Sequence, residues 1–134
     1  MAETILLIVE GPQEPVESLR RTLLADGHRP VFAAGWAEGW KRFERLRPAM
    51  LILRLGAVPK RGLAVCSKVR AHPALSATPV VLLADDDGLA GKEHGFAAGA
   101  DLYLTCPFDE NRLRLWVKAL LRRARSDEKE GGVL

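Results

Sequence analysis

The sequence predicts one α/β domain, a parallel sheet covered by helices on both faces. Five short apolar runs alternate with longer segments whose apolar residues recur at helical spacing. The runs are apolar throughout rather than at every second position, the pattern of strands buried on both faces. At 134 residues the chain is expected to be one domain, long enough to bury a single core.

Each element has its own signal. Thr4–Val9 is a continuous apolar run and the first strand. Val16, Leu19, Leu23 and Leu24 then recur at helical spacing, with Gly27 as a stop. Pro30–Ala33 predicts a second strand, the weakest of the five. Trp36, Trp40, Phe43 and Leu46 share one helical face, with arginine and lysine between them. Ala49–Leu53 predicts a third buried strand, and Gly62–Ala71 a helix with Leu63, Val65, Cys66 and Val69 inward. Pro79–Leu83 is the fourth strand, rich in β-branched and aliphatic residues. Leu89–Ala98 predicts a helix weakened by glycine. Asp101–Thr105 is the fifth strand and Phe108–Arg125 the last helix, closing a domain over residues 1–125. Residues 126–134, charged and glycine-containing, predict a disordered tail.

Five βα units with buried strands imply right-handed crossovers and a doubly wound, flavodoxin-like sheet of order 2-1-3-4-5. Ligands of such sheets sit beyond the carboxyl ends of the strands, at the switch point between strands 1 and 3. That rule brings Glu10, Gly11, Arg54, Ala84, Asp85 and Cys106 around one pocket.

Composition narrows the function classes. Twenty Lys and Arg against seventeen Asp and Glu give +3, too little to imply nucleic acid. Six basic residues (Arg112, Arg114, Lys118, Arg122, Arg123 and Arg125) crowd the last helix, a pattern expected of a solvated face. Two cysteines, Cys66 and Cys106, suggest no disulfide framework and fit a reducing cytoplasm. No basic leader precedes Ile5–Val9, and that run is too short to span a membrane. His28, His72 and His94 fall at loops or exposed helix positions and form no cluster. Ser67 and Ser76 have no visible His–Asp partner, so nothing supports hydrolytic catalysis.

Gly95-Phe96-Ala97-Ala98-Gly99-Ala100-Asp101-Leu102-Tyr103-Leu104-Thr105-Cys106-Pro107-Phe108 resembles the pattern G-F-x-A-G-A-D-x-Y-L-x-K-P-F of bacterial response-regulator receiver domains. Val65-Cys66-Ser67-Lys68-Val69-Arg70-Ala71-His72-Pro73 is similar to the third-helix pattern of the same family, and Pro79–Leu83 to the start of its fourth strand. The resemblance covers Thr4 to Arg125 and is loosest over the second helix. It implies a signalling module of two-component, phosphorelay-type signal transduction. Working receivers hold Mg²⁺ on acidic residues after strands 1 and 3, and the latter aspartate takes the phosphoryl group. A hydroxyl after strand 4 and a lysine after strand 5 contact that group. The matching positions here are Glu10, Gly11, Arg54, Ala84 and Cys106, and only Glu10 keeps its chemical character. A guanidinium has no nucleophilic lone pair. The resemblance therefore implies a pseudo-receiver without a phosphorylation switch, with no catalytic residue, metal or cofactor, and only surface-like affinity for Mg²⁺. Pro59 also stands one residue later after Arg54 than the family places its proline, while Gly62 keeps its place.

An isolated buried cation is costly, so Arg54 needs a partner; Glu10 is the natural one, with Asp85 or Asp86 in reach. The guanidinium is expected near the place of the metal, fixing the loops in one state. In Asp85-Asp86-Asp87, Asp86 or Asp87 is expected to cap the following helix rather than bind metal. Cys106 reads as a buried replacement for lysine; the alternative is a redox thiol activated by Arg54. Tyr103, at the family's switch-aromatic position, is expected in one inward orientation.

The expected function is protein–protein interaction without aspartyl phosphorylation. The alternative is a small-ligand or metal sensor using the remodelled pocket. On the last helix Leu113, Val117, Leu120, Leu121 and Ala124 cluster toward the sheet. Leu115 falls on the far side among Arg114, Lys118 and Arg122, with Trp116 at the edge. Receivers commonly meet partners through helix 4, strand 5 and helix 5. Leu115, Trp116, Arg112 and Lys118 are thus the expected interface to a protein partner or a second copy. Membrane and nucleic acid are not expected partners. No output segment follows the domain, so a stand-alone protein is expected.

Overall fold

Alternate residues of the strands point to opposite faces of the sheet, and each face meets its own helices. The computed structural model describes residues 2–10 and 14–133, with side chains described outside 14–16 and 127–133. In chain order the elements are β1 (Thr4–Val9), α1 (Glu14–Ala25), β2 (Arg29–Ala34), α2 (Trp36–Leu46) and β3 (Met50–Arg54). Then follow α3 (Pro59–Arg70), β4 (Val80–Ala84), α4 (Leu89–Ala97), β5 (Leu102–Thr105) and α5 (Glu110–Val133). The five strands form one sheet of order β2-β1-β3-β4-β5, every neighbouring pair parallel. This is the doubly wound, flavodoxin-like topology that the sequence predicts.

Ile5, Leu7, Val9, Met50, Ile52, Val81 and Leu83 join Leu19 and Leu23 of α1 and Leu113, Val117, Leu120 and Leu121 of α5 in one core layer. Leu6, Ile8, Leu51, Leu53, Val80 and Leu82 meet Phe43 of α2, Val65, Cys66 and Val69 of α3, and Tyr103 in the other. Both layers are built mainly of buried Leu, Ile and Val side chains, each fully buried one stabilising the fold by about 1.5–3 kcal/mol relative to exposure.

Several boundaries differ from the sequence expectation. Helix α3 starts at Pro59, three residues before Gly62, because a proline at the first helical position gives up no needed N–H. Gly62 then lies inside the helix, where a Cβ would collide with Leu55. Helix α5 starts at Glu110 rather than Phe108, since the Asp109 carboxylate accepts from the amides of Asn111 (2.9 Å) and Arg112 (3.2 Å) and so caps it. The helix also continues to Val133, through the segment expected to be a disordered tail; Ser126–Glu130 holds no glycine or proline to end it. Leu24, grouped with the buried face of α1, is 56% exposed, and only Leu19 and Leu23 reach the core. Val16 lies outside the described side chains.

His72 is not a loop histidine facing solvent. Its Nδ1 accepts from the amides of Ala74 and Leu75 (both 3.1 Å), its Nε2 lies 3.3 Å from Glu44, and its ring packs on Trp40 and Phe43. The imidazole thereby holds the turn after α3 against α2.

Candidate functional site

Strand alternation divides the carboxyl end of the sheet into two halves. Arg54, two residues beyond Ile52, points to the α1/α5 face, as does Cys106, which packs against that core layer. Ala84 and Tyr103 belong to the α2/α3 layer. The residues expected around one pocket therefore sit on two sides of the strand ends.

On the first side, the Arg54 side chain is only 11% exposed. Its Nη2 donates to Asp85 Oδ1 at 2.9 Å, while Nη1 donates to the Leu55 carbonyl and reaches the Leu83 carbonyl at 3.5 Å. One guanidinium thus ties the segment after β3 to the segment after β4. Its Nε is buried with no partner among the described residues, a cost set against those bonds. Glu10, the expected partner, does not meet Arg54. Its carboxylate accepts from Arg61 of α3 at 2.7 Å. The pair has the shorter route because α3 begins at Pro59 and brings Arg61 over the end of β1. Gly11 lies outside the described residues.

The thiol of Cys106 is pushed up from its ordinary pKa, chiefly by burial, with Arg54 lowering and Asp85 raising it more weakly. Burial outweighs the guanidinium, which argues against an activated redox thiol there. Burial likewise raises Cys66. The Cys106–Pro107 peptide is cis.

On the other side, Tyr103 is turned inward, its hydroxyl donating to the Asp86 carbonyl at 2.7 Å. Burial raises its phenol pKa, with Asp86 and Asp87 adding to the shift. Two glycines of α4 make room for the ring. A Cβ on Gly95 would stand 2.8 Å from Tyr103 Cδ2, and one on Gly91 2.9 Å from its hydroxyl. The sequence marked these glycines only as a weakness of α4, although their spacing of four puts them on one helical face. Asp86 Oδ1 accepts from the Gly88 amide at 2.7 Å, making a turn ahead of α4. The residue at the N-cap is Gly88, with no side-chain cap, so neither Asp86 nor Asp87 caps the helix as expected. Among the described residues no three His, Cys, Asp or Glu side chains gather as a metal-holding group.

Between the β3–α3 and β4–α4 connections lies a cleft of about 500 Å³, lined by Leu55, Leu63, Ala84, Ala90, Asp86 and Tyr103 among others. A second surface lies on α5, where Leu115 is 67% and Trp116 45% exposed. Arg112 and Ala119 complete a groove with them, and Lys118 is exposed beside it. Leu113, Val117, Leu120 and Leu121 face the core, with Ala124 half-buried. Arg114 does not rim Leu115 as the helical wheel suggested. It turns to the end of α1 and holds Asp26, the residue just after that helix, with Nε at 2.9 Å and Nη2 at 2.8 Å. That bidentate bond, first among the causes, keeps the Asp26 carboxyl below its usual pKa. Arg123 pairs with Asp101 and Arg125 with Glu3, so Arg114, Arg123 and Arg125, half of the six basic residues between Arg112 and Arg125, are used within the fold.

Relatives agree with this architecture. The chain is 30% identical to a response regulator of Chloroflexus aurantiacus whose crystal structure superposes with a TM-score of 0.81, covering 91% of this chain and 99% of that one. The chain belongs to the response-regulator receiver family. Response regulator MprA of Mycobacterium leprae is 32% identical over 123 residues, 92% of this chain and 53% of MprA. The alkaline phosphatase synthesis transcriptional regulatory protein PhoP of Bacillus subtilis is 28% identical over 96% of this chain and 57% of its own length. This receiver chain spans about half the length of the curated relatives it matches. No family model matches it. No described helix of the receiver is long and apolar enough to cross a membrane.

Proposed function

We propose that this receiver signals by protein–protein contact and accepts no phosphoryl group, acting as a non-enzymatic module in the cytoplasm. The observation that carries the reading is Arg54. At the end of β3 stands a guanidinium, bonded to the Leu55 carbonyl and the Asp85 carboxylate, where a receiver would need a carboxylate nucleophile. It also places positive charge where Mg²⁺ would have to bind, and Ala84 and Cys106 supply neither hydroxyl nor ammonium. Incubation with small phosphodonors and Mg²⁺, followed by intact-mass spectrometry, is expected to show no adduct. An acid-stable, hydroxylamine-labile phosphoryl adduct would overturn the proposal.

The proposed contact surface is the α4–β5–α5 side, centred on Leu115 and Trp116 with Arg112 and Lys118 at the rim. Leu89 and Phe96 of α4 are exposed as well, so apolar side chains on both helices are open to a protein partner or a second copy. An exposed leucine beside a large aromatic and an arginine has the composition of an interface centre. Replacing Leu115→Ser together with Trp116→Gln is expected to abolish partner capture or self-association while leaving the thermal midpoint near that of the parent. Unchanged association in the folded variant would exclude this face.

A further inference from the structure

The cleft between α3 and α4 has a chemistry of its own. Its floor is Leu55, Leu63 and Ala84, and Ala90 forms its outer edge. A volume of about 500 Å³ is in the range that small organic ligands occupy. Two carboxylates and the His94 imidazole line it, and neither lysine nor arginine does. Asp85 is engaged by Arg54. Asp86 spends Oδ1 on the Gly88 amide, and among the described residues its Oδ2 has no hydrogen-bond partner. The Tyr103 hydroxyl spends its proton on the Asp86 carbonyl, leaving its oxygen free only to accept. The two acceptors are near neighbours beside α4: a Cβ built on Gly91 would stand 2.9 Å from the Tyr103 hydroxyl and 3.0 Å from Asp86 Oδ2. Apolar walls with paired, unspent acceptors and a net negative charge suit a donor-rich cation on an apolar body.

We propose that this cleft binds a small primary amine with an aromatic or branched apolar body, its ammonium donating to Asp86 Oδ2 and the Tyr103 oxygen. Binding buries the apolar body against Leu55, Leu63 and Ala84. It also holds the Tyr103 ring inward, because the ring is one wall of the cleft. The inference goes beyond the proposed function: a receiver without a phosphoryl switch would gain a chemical input acting on β5 and α4. It stands or falls separately, since absence of phosphorylation requires no ligand here.

The test uses the full chain, ¹⁵N-labelled, titrated with 2-phenylethylamine, 2-phenylethanol and 3-phenylpropionate. Saturable shifts at Tyr103, Ala90 and Asp86 are expected for the amine, with half-saturation at about a millimolar or tighter for so small a ligand. The alcohol is expected to bind more weakly and the carboxylate weakest. Asp86→Asn keeps an acceptor for the Gly88 amide and removes the charge. It should weaken the amine about tenfold while leaving the alcohol unchanged. Ala90→Phe, at an exposed helical position, should fill the edge and abolish both, with backbone spectra showing each variant folded. Equal affinity for the three compounds, shifts elsewhere on the surface, or amine binding undiminished in both variants would overturn the proposal. So would absence of saturation by the amine at about ten times the expected half-saturation concentration.

Discussion

The two sides of the sheet's carboxyl end differ in what holds them. On the α1/α5 side, connection to connection, the join is electrostatic: one arginine, two backbone carbonyls and one carboxylate. On the α3/α4 side the join is steric, a tyrosine ring seated over two glycines with a single hydrogen bond at its tip. The first arrangement tolerates small movements, because a guanidinium can re-aim among acceptors. The second does not, because a Cβ has nowhere to go. Rigidity near Tyr103 therefore comes from missing atoms on α4, and cohesion near Arg54 from added charge.

The steric side should be the more fragile. Gly95→Val is expected to lose about 1–3 kcal/mol, since its side chain would press on both Tyr103 and Leu82 Cδ1, the latter 3.1 Å from the Cβ position. Urea denaturation checks this, and an unchanged midpoint would show that Tyr103 leaves its seat at no cost. On the electrostatic side, Arg54→Ala should lower the thermal midpoint and remove about 1–2 kcal/mol, less than three such bonds suggest because the partnerless Nε is relieved as well. Arg54→Met, which keeps the aliphatic stem, separates packing from charge; a Met variant as stable as the parent would break the comparison.

The smallest effect should come from the Asp26–Arg114 pair, another electrostatic tie between α1 and α5. Because the pair holds the Asp26 pKa below its ordinary value, its contribution is complete above about pH 4 and is lost as pH falls through the lower folded value. Asp26→Asn is thus expected to lower the thermal midpoint at pH 7, with the deficit closing below about pH 4. A deficit that does not vary with pH would mean the variant acts through packing and not through charge.

The strands were legible because burial on both faces leaves uninterrupted apolar runs, and the strand order matches a flavodoxin-like sheet with right-handed crossovers. Phe43, Val69 and Leu113 could be placed inward by periodicity for the same reason. What escaped the sequence was decided by the paths of connections. Whether Arg54 meets Glu10 or Asp85 depends on where α3 begins, and Arg61, which takes Glu10, carries no sequence signal beyond its charge. Leu24 was misplaced because a helical wheel cannot tell the edge of a stripe from its centre. Asp109 was passed over as a cap, although an aspartate just ahead of an apolar-periodic segment is the usual sign of one. The role of Gly91 and Gly95 was legible in their spacing, but only once a bulky ring was known to lie across them.

The borders of the sheet govern how this chain behaves at high concentration. Along β2, the amide of Arg29 donates inward to Glu3 and that of Gly35 to Val9, so alternation turns Pro30 outward. The exposed row of β2 therefore lacks a donor near its start, because proline has no N–H to offer. The opposite border, β5, is only four residues long. A neighbouring molecule seeking to extend the sheet finds an interrupted template on one border and a short one on the other. Concentrated solutions are accordingly expected to resist strand-by-strand growth into fibres.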